Sequence, residues 1–206
     1  MPANRKLILF SAILLVLSLL ALLVAGLINK STLPAPSQSH QKAPVPPVSF
    51  ALLDENNQLV TQANYDNTLK LIYFGFTFCP DVCPNQLSVM GEAFDLLDPD
   101  SAKAITPLFI SLDPERDTPA IVKEYSDYFH PQLIGLTGTQ DQVQQVANRF
   151  KVYFAKVKDP ESSADYTIDH SSIVFLMGRD NHYLKAFTFR DTPETIAAAI
   201  QQAVGR

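Results

Sequence analysis

The chain opens on its longest unbroken apolar pattern. From Leu7 to Ile28 it carries no charge and is built almost wholly of Leu, Ile, Val, Ala and Phe. As a helix this stretch would reach about 33 Å, enough to cross a hydrocarbon core. Arg5 and Lys6 before it outweigh Lys30 after it, which predicts an N-terminus on the cytoplasmic side. A cleaved signal peptide would have a shorter apolar run and a small-residue cleavage site, and "VAGLINKS" is a weak one. A lipoprotein would need a cysteine there, and none is present. The reading is a short basic cytoplasmic N-terminus (1–6) followed by a transmembrane anchor (7–28). The remainder lies on the periplasmic side of the inner (cytoplasmic) membrane. Residues 29–47 are a linker, with five prolines between Ser31 and Pro47, which makes a semi-extended spacer.

From 48 to 206 the pattern alternates between strand and helix. "VSFALLDENNQLV" predicts a hairpin with a polar Asn-Asn turn. "LKLIYFGF" is a near-continuous apolar run of β-formers, hence a strand buried on both faces. Pro84 to Leu97 has helical spacing, with Leu87, Met90, Phe94 and Leu97 on one face. "ITPLFISL" is a second buried strand. Thr118 and Pro119 open a helix through Phe129, "QLIGLTG" is a short strand, and Gln140 to Phe150 is a helix. "VYFAKV" predicts a strand, and "SSIVFLM" and "YLKAFTF" form a hairpin around Gly178 to His182. "TPETIAAAIQQAV" closes the chain as a helix capped by Thr192. Strands alternating with helices and ending in a hairpin plus helix predict an α/β domain with a mixed sheet flanked by helices. A strand, cysteine loop and helix in such a sheet suggest a thioredoxin-like arrangement.

Charge narrows the partners. Four of the sixteen basic residues (Arg5, Lys6, Lys30 and Lys42) precede Asp54, the first acidic one, so the rest of the chain carries twelve basic against twenty-one acidic residues. Such a domain is a poor nucleic-acid binder and suits basic surfaces, small molecules or metal cations.

The chemistry concentrates in "IYFGFTFCPDVCPNQL", which holds Cys79 and Cys83, the only two cysteines. Each precedes a proline, which biases it away from the α region. The simplest placement makes Cys83 the N-cap of the following helix and Pro84 its first residue. Free N–H groups and the helix dipole would then face the sulfurs and favour thiolates. Such a dithiol can close as a disulfide, exchange with other disulfides or bind a soft metal. A purely structural staple is disfavoured, because so short a ring constrains little of the unfolded chain. Two thiolates leave a metal short of ligands, and His130, His170 and His182 are the candidates for a third. His130 ends a helix and His182 sits in a polar turn, so both are expected to be solvated. His170 immediately precedes an apolar strand. If that strand runs antiparallel to "LKLIYFGF", His170 approaches both cysteines. Two thiolates and an imidazole suit Cu(I), or Cu(II) with one further ligand.

The chain resembles the Sco/SenC family of membrane-anchored, thioredoxin-fold copper-binding proteins that help assemble cytochrome c oxidase. The resemblance rests on "IYFGFTFCPDVCP", "FISLDPERDTP", "LIGLTGT" and "DHSSIVFLM". It implies copper, as Cu(I) and Cu(II), held by Cys79, Cys83 and His170. It also implies a chaperone or thiol reductase serving the CuA site of oxidase subunit II, loaded by an upstream copper donor. Relatives often have histidine before the first cysteine, where this chain has Phe78. Asp81 and Asp169 are candidates to orient His170 or steer a cationic partner. Asp113, Arg116 and Asp117 are expected near the sheet edge that carries Cys79.

Two further functions compete. A thiol-disulfide oxidoreductase would use Cys79 and Cys83 as its redox pair and His170 only as a modifier. A thiol peroxidase would want a threonine three residues before its cysteine, and Thr77 precedes Cys79 by two.

Overall fold

The computed structural model describes residues 15–20, 22, 47–158 and 165–205. The chain divides into two units, 1–43 and 44–206. In the first, residues 15–20 and 22 are helical and exposed. The anchor expected over 7–28 and the linker over 29–47 lie largely outside the described residues. Among the described residues no helix is long and apolar enough to cross a membrane.

The second unit is built on a five-stranded sheet. Its strands are β3 (Leu69–Gly75), β4 (Ile105–Ser111), β5 (Ile134–Leu136), β8 (Val174–Met177) and β9 (Tyr183–Phe187), in the order β5-β4-β3-β8-β9. β3 is parallel to β4, and β4 to β5, whereas β8 is antiparallel to both β3 and β9. This is the mixed, thioredoxin-like arrangement predicted. Every residue of β3 is buried, as its continuous apolar run requires. The exception within that run, Lys70, is also buried, and its ammonium donates to the carbonyls of Gly178 and Arg179 at the far end of the sheet.

Helices cover both faces. On one, Tyr73 and Phe109 meet α1 (Val82–Asp95) and α3 (Pro119–Phe129), with the Phe109 and Tyr125 rings 5.4 Å apart. On the other, Phe74 and Phe175 pack with Phe150 of α4 (Gln140–Phe150), at centroid distances of 5.1 and 5.3 Å from it. The closing helix α5 (Pro193–Val204) lies against α1. Thr118, Thr139 and Thr192 each accept a backbone N–H of the first turn that follows, so these three helices begin where their sequences predict.

The expected first hairpin is β1 (Ala51–Leu53) with β2 (Leu59–Thr61). Asn57 takes the left-handed conformation its turn needs (φ 59°), which asparagine tolerates. A short helix α2 (Pro99–Lys103), capped by Asp98, was not apparent in the pattern because it spans barely one turn. Nor was β7 (Thr167–His170), which pairs antiparallel with β6 (Phe154–Val157) in a hairpin outside the main sheet.

Candidate metal centre

The cysteine loop leaves the C-terminal end of β3, and the structure corrects its expected geometry. The helix starts earlier than the prolines suggest. Asp81 is the N-cap, Val82 the first helical residue, and Cys83 and Pro84 lie inside the first turn. Proline is tolerated there because the first N–H groups of a helix have no partner in the preceding chain. The preference of a pre-proline residue for extended geometry is a bias that the turn overrides. Cys83 is therefore buried, while Cys79 stays half-exposed in the loop, and both are free thiols. The Cys83 N–H donates to Cys79 Sγ at 3.4 Å.

This asymmetry splits the two thiols. The Cys79 pKa is lowered from 9.0 to about 4, first by the hydrogen bond from the Cys83 side chain. Burial opposes that shift, and the backbone N–H groups of Asp81 and Cys83 reinforce it. Cys83 moves the other way, pushed up by the hydrogen bond it gives Cys79 and by burial. One thiolate at the open end of a helix thus sits beside one protonated, buried thiol.

Gly75 makes the close packing possible. A Cβ at this position would lie 2.9 Å from Cys83 Sγ and 3.0 Å from the Tyr73 ring. Only a residue without a side chain lets the helix bring its sulfur so near the strand. Sequence reasoning passed over Gly75, although a glycine ending a buried strand just before a cysteine loop was the available signal.

The antiparallel direction assumed for the strand after His170 is the one observed. β8 meets β3 with Val174 opposite Tyr73, so the residues just before Val174 reach the end of β3 where the cysteine loop begins. His170 Nε2 lies 3.5 Å from Cys83 Sγ. Its Nδ1 stands 3.2 Å from the Ser171 carbonyl. A carbonyl only accepts, so Nδ1 carries the proton and Nε2 keeps its lone pair towards the sulfurs. The rings of Tyr73 and Phe76 meet the imidazole edge-on at 6.3 and 5.9 Å. The other two candidate histidines stand elsewhere. His130 is packed on Phe94, not solvated as expected, and pairs with Asp95 at 3.6 Å. His182 lies in the β8–β9 turn.

The expected acidic helpers divide. Asp169 is exposed, and the Ser171 carbonyl takes the role of orienting His170. Asp81 accepts a hydrogen bond from Asn85 at 2.6 Å and serves the start of the helix. Asp117, by contrast, is fully buried and grips the cysteine loop. It accepts from the Thr77 N–H at 3.0 Å and from the hydroxyls of Thr77 and Ser111. Burial pushes its pKa up, against the pull of those hydroxyls. The Thr77 hydroxyl is committed to Asp117, which removes it from any peroxidase-like role at Cys79. Asp113 is also buried, pairing with Arg116 Nε and accepting from the Tyr166 hydroxyl at 2.7 Å.

Cys79, Cys83 and His170 form an open set of two sulfurs and one imidazole nitrogen. Bonds of about 2.0–2.3 Å to one ion put sulfur and nitrogen about 3.5 Å apart at a near-tetrahedral angle, which matches the Cys83–His170 separation. Among the described residues no three His, Cys, Asp or Glu side chains stand as a ready metal cage. The fit therefore rests on that separation and on the soft donor set.

Known proteins resemble this chain over most of its length. An SCO2-like protein of Rickettsia felis is 42% identical over 147 residues, covering 71% of each chain. The human mitochondrial SCO1 homologue is 40% identical over 164 residues, 79% of this chain and 54% of that protein. Bradyrhizobium japonicum ScoI, solved with copper bound, superposes with a TM-score of 0.69 at 38% identity, covering 77% of this chain and 99% of that one. The family profile described as SCO1/SenC matches residues 38–205. That stretch takes in both cysteines, the buried turn that grips their loop and the histidine facing them, and the chain belongs to the SCO1/SenC family.

Proposed function

We propose that this protein is a copper chaperone. It holds Cu(I) or Cu(II) as cargo through Cys79, Cys83 and His170 and delivers it for assembly of the CuA site of cytochrome c oxidase. The observation that carries this reading is the approach of His170 Nε2 to Cys83 Sγ, with its lone pair free and the Cys79 thiolate alongside. Copper-bound relatives of the same fold support it. The upstream copper donor and oxidase subunit II are its partners. The segment over 7–28 anchors it in the inner membrane with the domain on the periplasmic side, held off the bilayer by the 29–47 linker.

Copper titration with absorption spectra in both oxidation states tests the site. Wild type takes up roughly one copper per chain, and His170→Ala loses Cu(II) affinity by about tenfold or more while folding normally. A variant that binds both states like wild type overturns the three-ligand site. A reporter at the C-terminus that is active only in the cytoplasm overturns the topology.

The split between the thiols favours a second activity at the same residues. The Cys79 thiolate attacks a partner disulfide, forming a mixed disulfide and releasing one partner thiolate. Cys83 then loses its proton and attacks Cys79. This closes the Cys79–Cys83 disulfide and passes two electrons to the partner as its second thiol. Metal-free protein should reduce a disulfide substrate, and Cys83→Ser should stall at the mixed disulfide. Failure of both observations removes this activity and leaves copper binding standing.

A further inference from the structure

The strand that carries His170 belongs to a different sheet from the strand that feeds the cysteine loop. Among the described residues β7 pairs only with β6, so the main ladder reaches His170 only through the short segment leading into β8, where Ser172 meets the Tyr73 hydroxyl at 3.2 Å. A guanidinium spans the gap. Arg116 Cζ lies 4.9 Å from the centroid of Phe78, the residue directly before Cys79, and 3.9 Å from that of Tyr166, the residue directly before β7. Its Nη1 donates to the Tyr166 carbonyl at 3.0 Å. Its Nε pairs with Asp113, whose other oxygen accepts from the Tyr166 hydroxyl. Lys156 of β6 adds a parallel tie, with its ammonium 4.3 Å from the Tyr166 centroid and 2.6 Å from Glu115.

We infer that Arg116 is a positioning residue. By stacking between Phe78 and Tyr166 it clamps the β6–β7 hairpin to the cysteine loop and keeps His170 within bonding reach of Cys83. The inference rests on the copper reading for its consequence, which depends on oxidation state. Two thiolates satisfy Cu(I), whereas Cu(II) needs the imidazole. Loosening the clamp therefore weakens Cu(II) more than Cu(I). The charge of Arg116 acts in the opposite sense, since removing a cation near the site by itself favours the more highly charged ion. The direction of the change separates the two roles.

The test uses the purified full-length chain with Arg116→Met and Arg116→Lys, each titrated with Cu(I) and Cu(II) against competing chelators. Metal-free samples are followed by NMR contacts between the His170 ring and the Cys83 β-protons. In Arg116→Met the Cu(II) affinity should fall by about tenfold or more and the Cu(I) affinity by less. The His170–Cys83 contact should be lost while the Phe74–Phe150 contact persists. Arg116→Lys should not restore either, because an ammonium lacks the flat face that stacks on both rings. A rise in Cu(II) affinity, an equal fall for both ions, rescue by lysine, or an intact His170–Cys83 contact each overturn the inference. If His170→Ala leaves Cu(II) binding untouched, the copper reading is what fails, and the metal-free contact alone decides the role of Arg116.

Discussion

Cys83 Sγ and His170 Nε2 lie 3.5 Å apart although 87 positions separate them in the chain. Two devices create that closeness. The antiparallel β3–β8 register brings the histidine to the end of the cysteine-bearing strand. Gly75 lets α1 settle with its sulfur against that strand.

Gly75→Ala tests the second device. The added methyl would meet Cys83 Sγ at 2.9 Å, Tyr73 at 3.0 Å and Phe109 at 3.2 Å. Overpacking of this kind costs about 1–3 kcal/mol. The variant should lose that much in denaturant unfolding and also show weakened Cu(II) binding as the sulfur is displaced. Unchanged stability and affinity would show that the site tolerates a side chain there.

The low pKa of Cys79 owes most to the hydrogen bond from Cys83. Thiolate absorbance of the metal-free protein should therefore titrate with a midpoint near about 4. In Cys83→Ala, which removes the donor, that midpoint should move upward, and alkylation of Cys79 at mildly acidic pH should slow with it. A wild-type midpoint in the ordinary thiol range would refute the assignment of the thiolate to Cys79.

Asp117 gives stability a pH signature. Its folded pKa is raised above the ordinary 3.8 by burial, so the native state holds this proton more tightly than the unfolded chain. The resulting stabilisation is complete below 3.8 and is lost as pH rises through the folded value. Asp117→Asn cannot titrate, so the stability difference between wild type and variant should shift in favour of the variant as pH rises from below 3.8 towards neutrality. Unfolding free energies measured across that range check it, and a pH-independent difference would contradict it.

Phe74 is fully buried on the face away from the cysteines, against Phe150 and Phe175. Phe74→Ala should cost about 3–5 kcal/mol by opening a cavity. Copper affinity measured below the unfolding transition should not change, because the other face of the sheet positions the ligands.

Sequence alone determined whatever repeats locally. The buried run of β3, the Thr-Pro helix starts at Thr118 and Thr192, the Asn-Asn hairpin and the cysteine pair are all legible because propensity, capping and burial act within a few residues. His170 was also within reach, as the histidine beside an apolar strand and through the family resemblance. The start of α1 was misplaced by two residues, because a pre-proline bias is weaker than the pull of a helical first turn packed against β3. Tertiary structure alone decided the rest. It set the inner place of Cys83 against Gly75, the grip of Asp117 on Thr77, the Ser171 carbonyl in place of Asp169, and the Arg116 clamp between Phe78 and Tyr166. These contacts join residues that no period relates. They form only when the strand register closes one edge of the sheet over the cysteine loop.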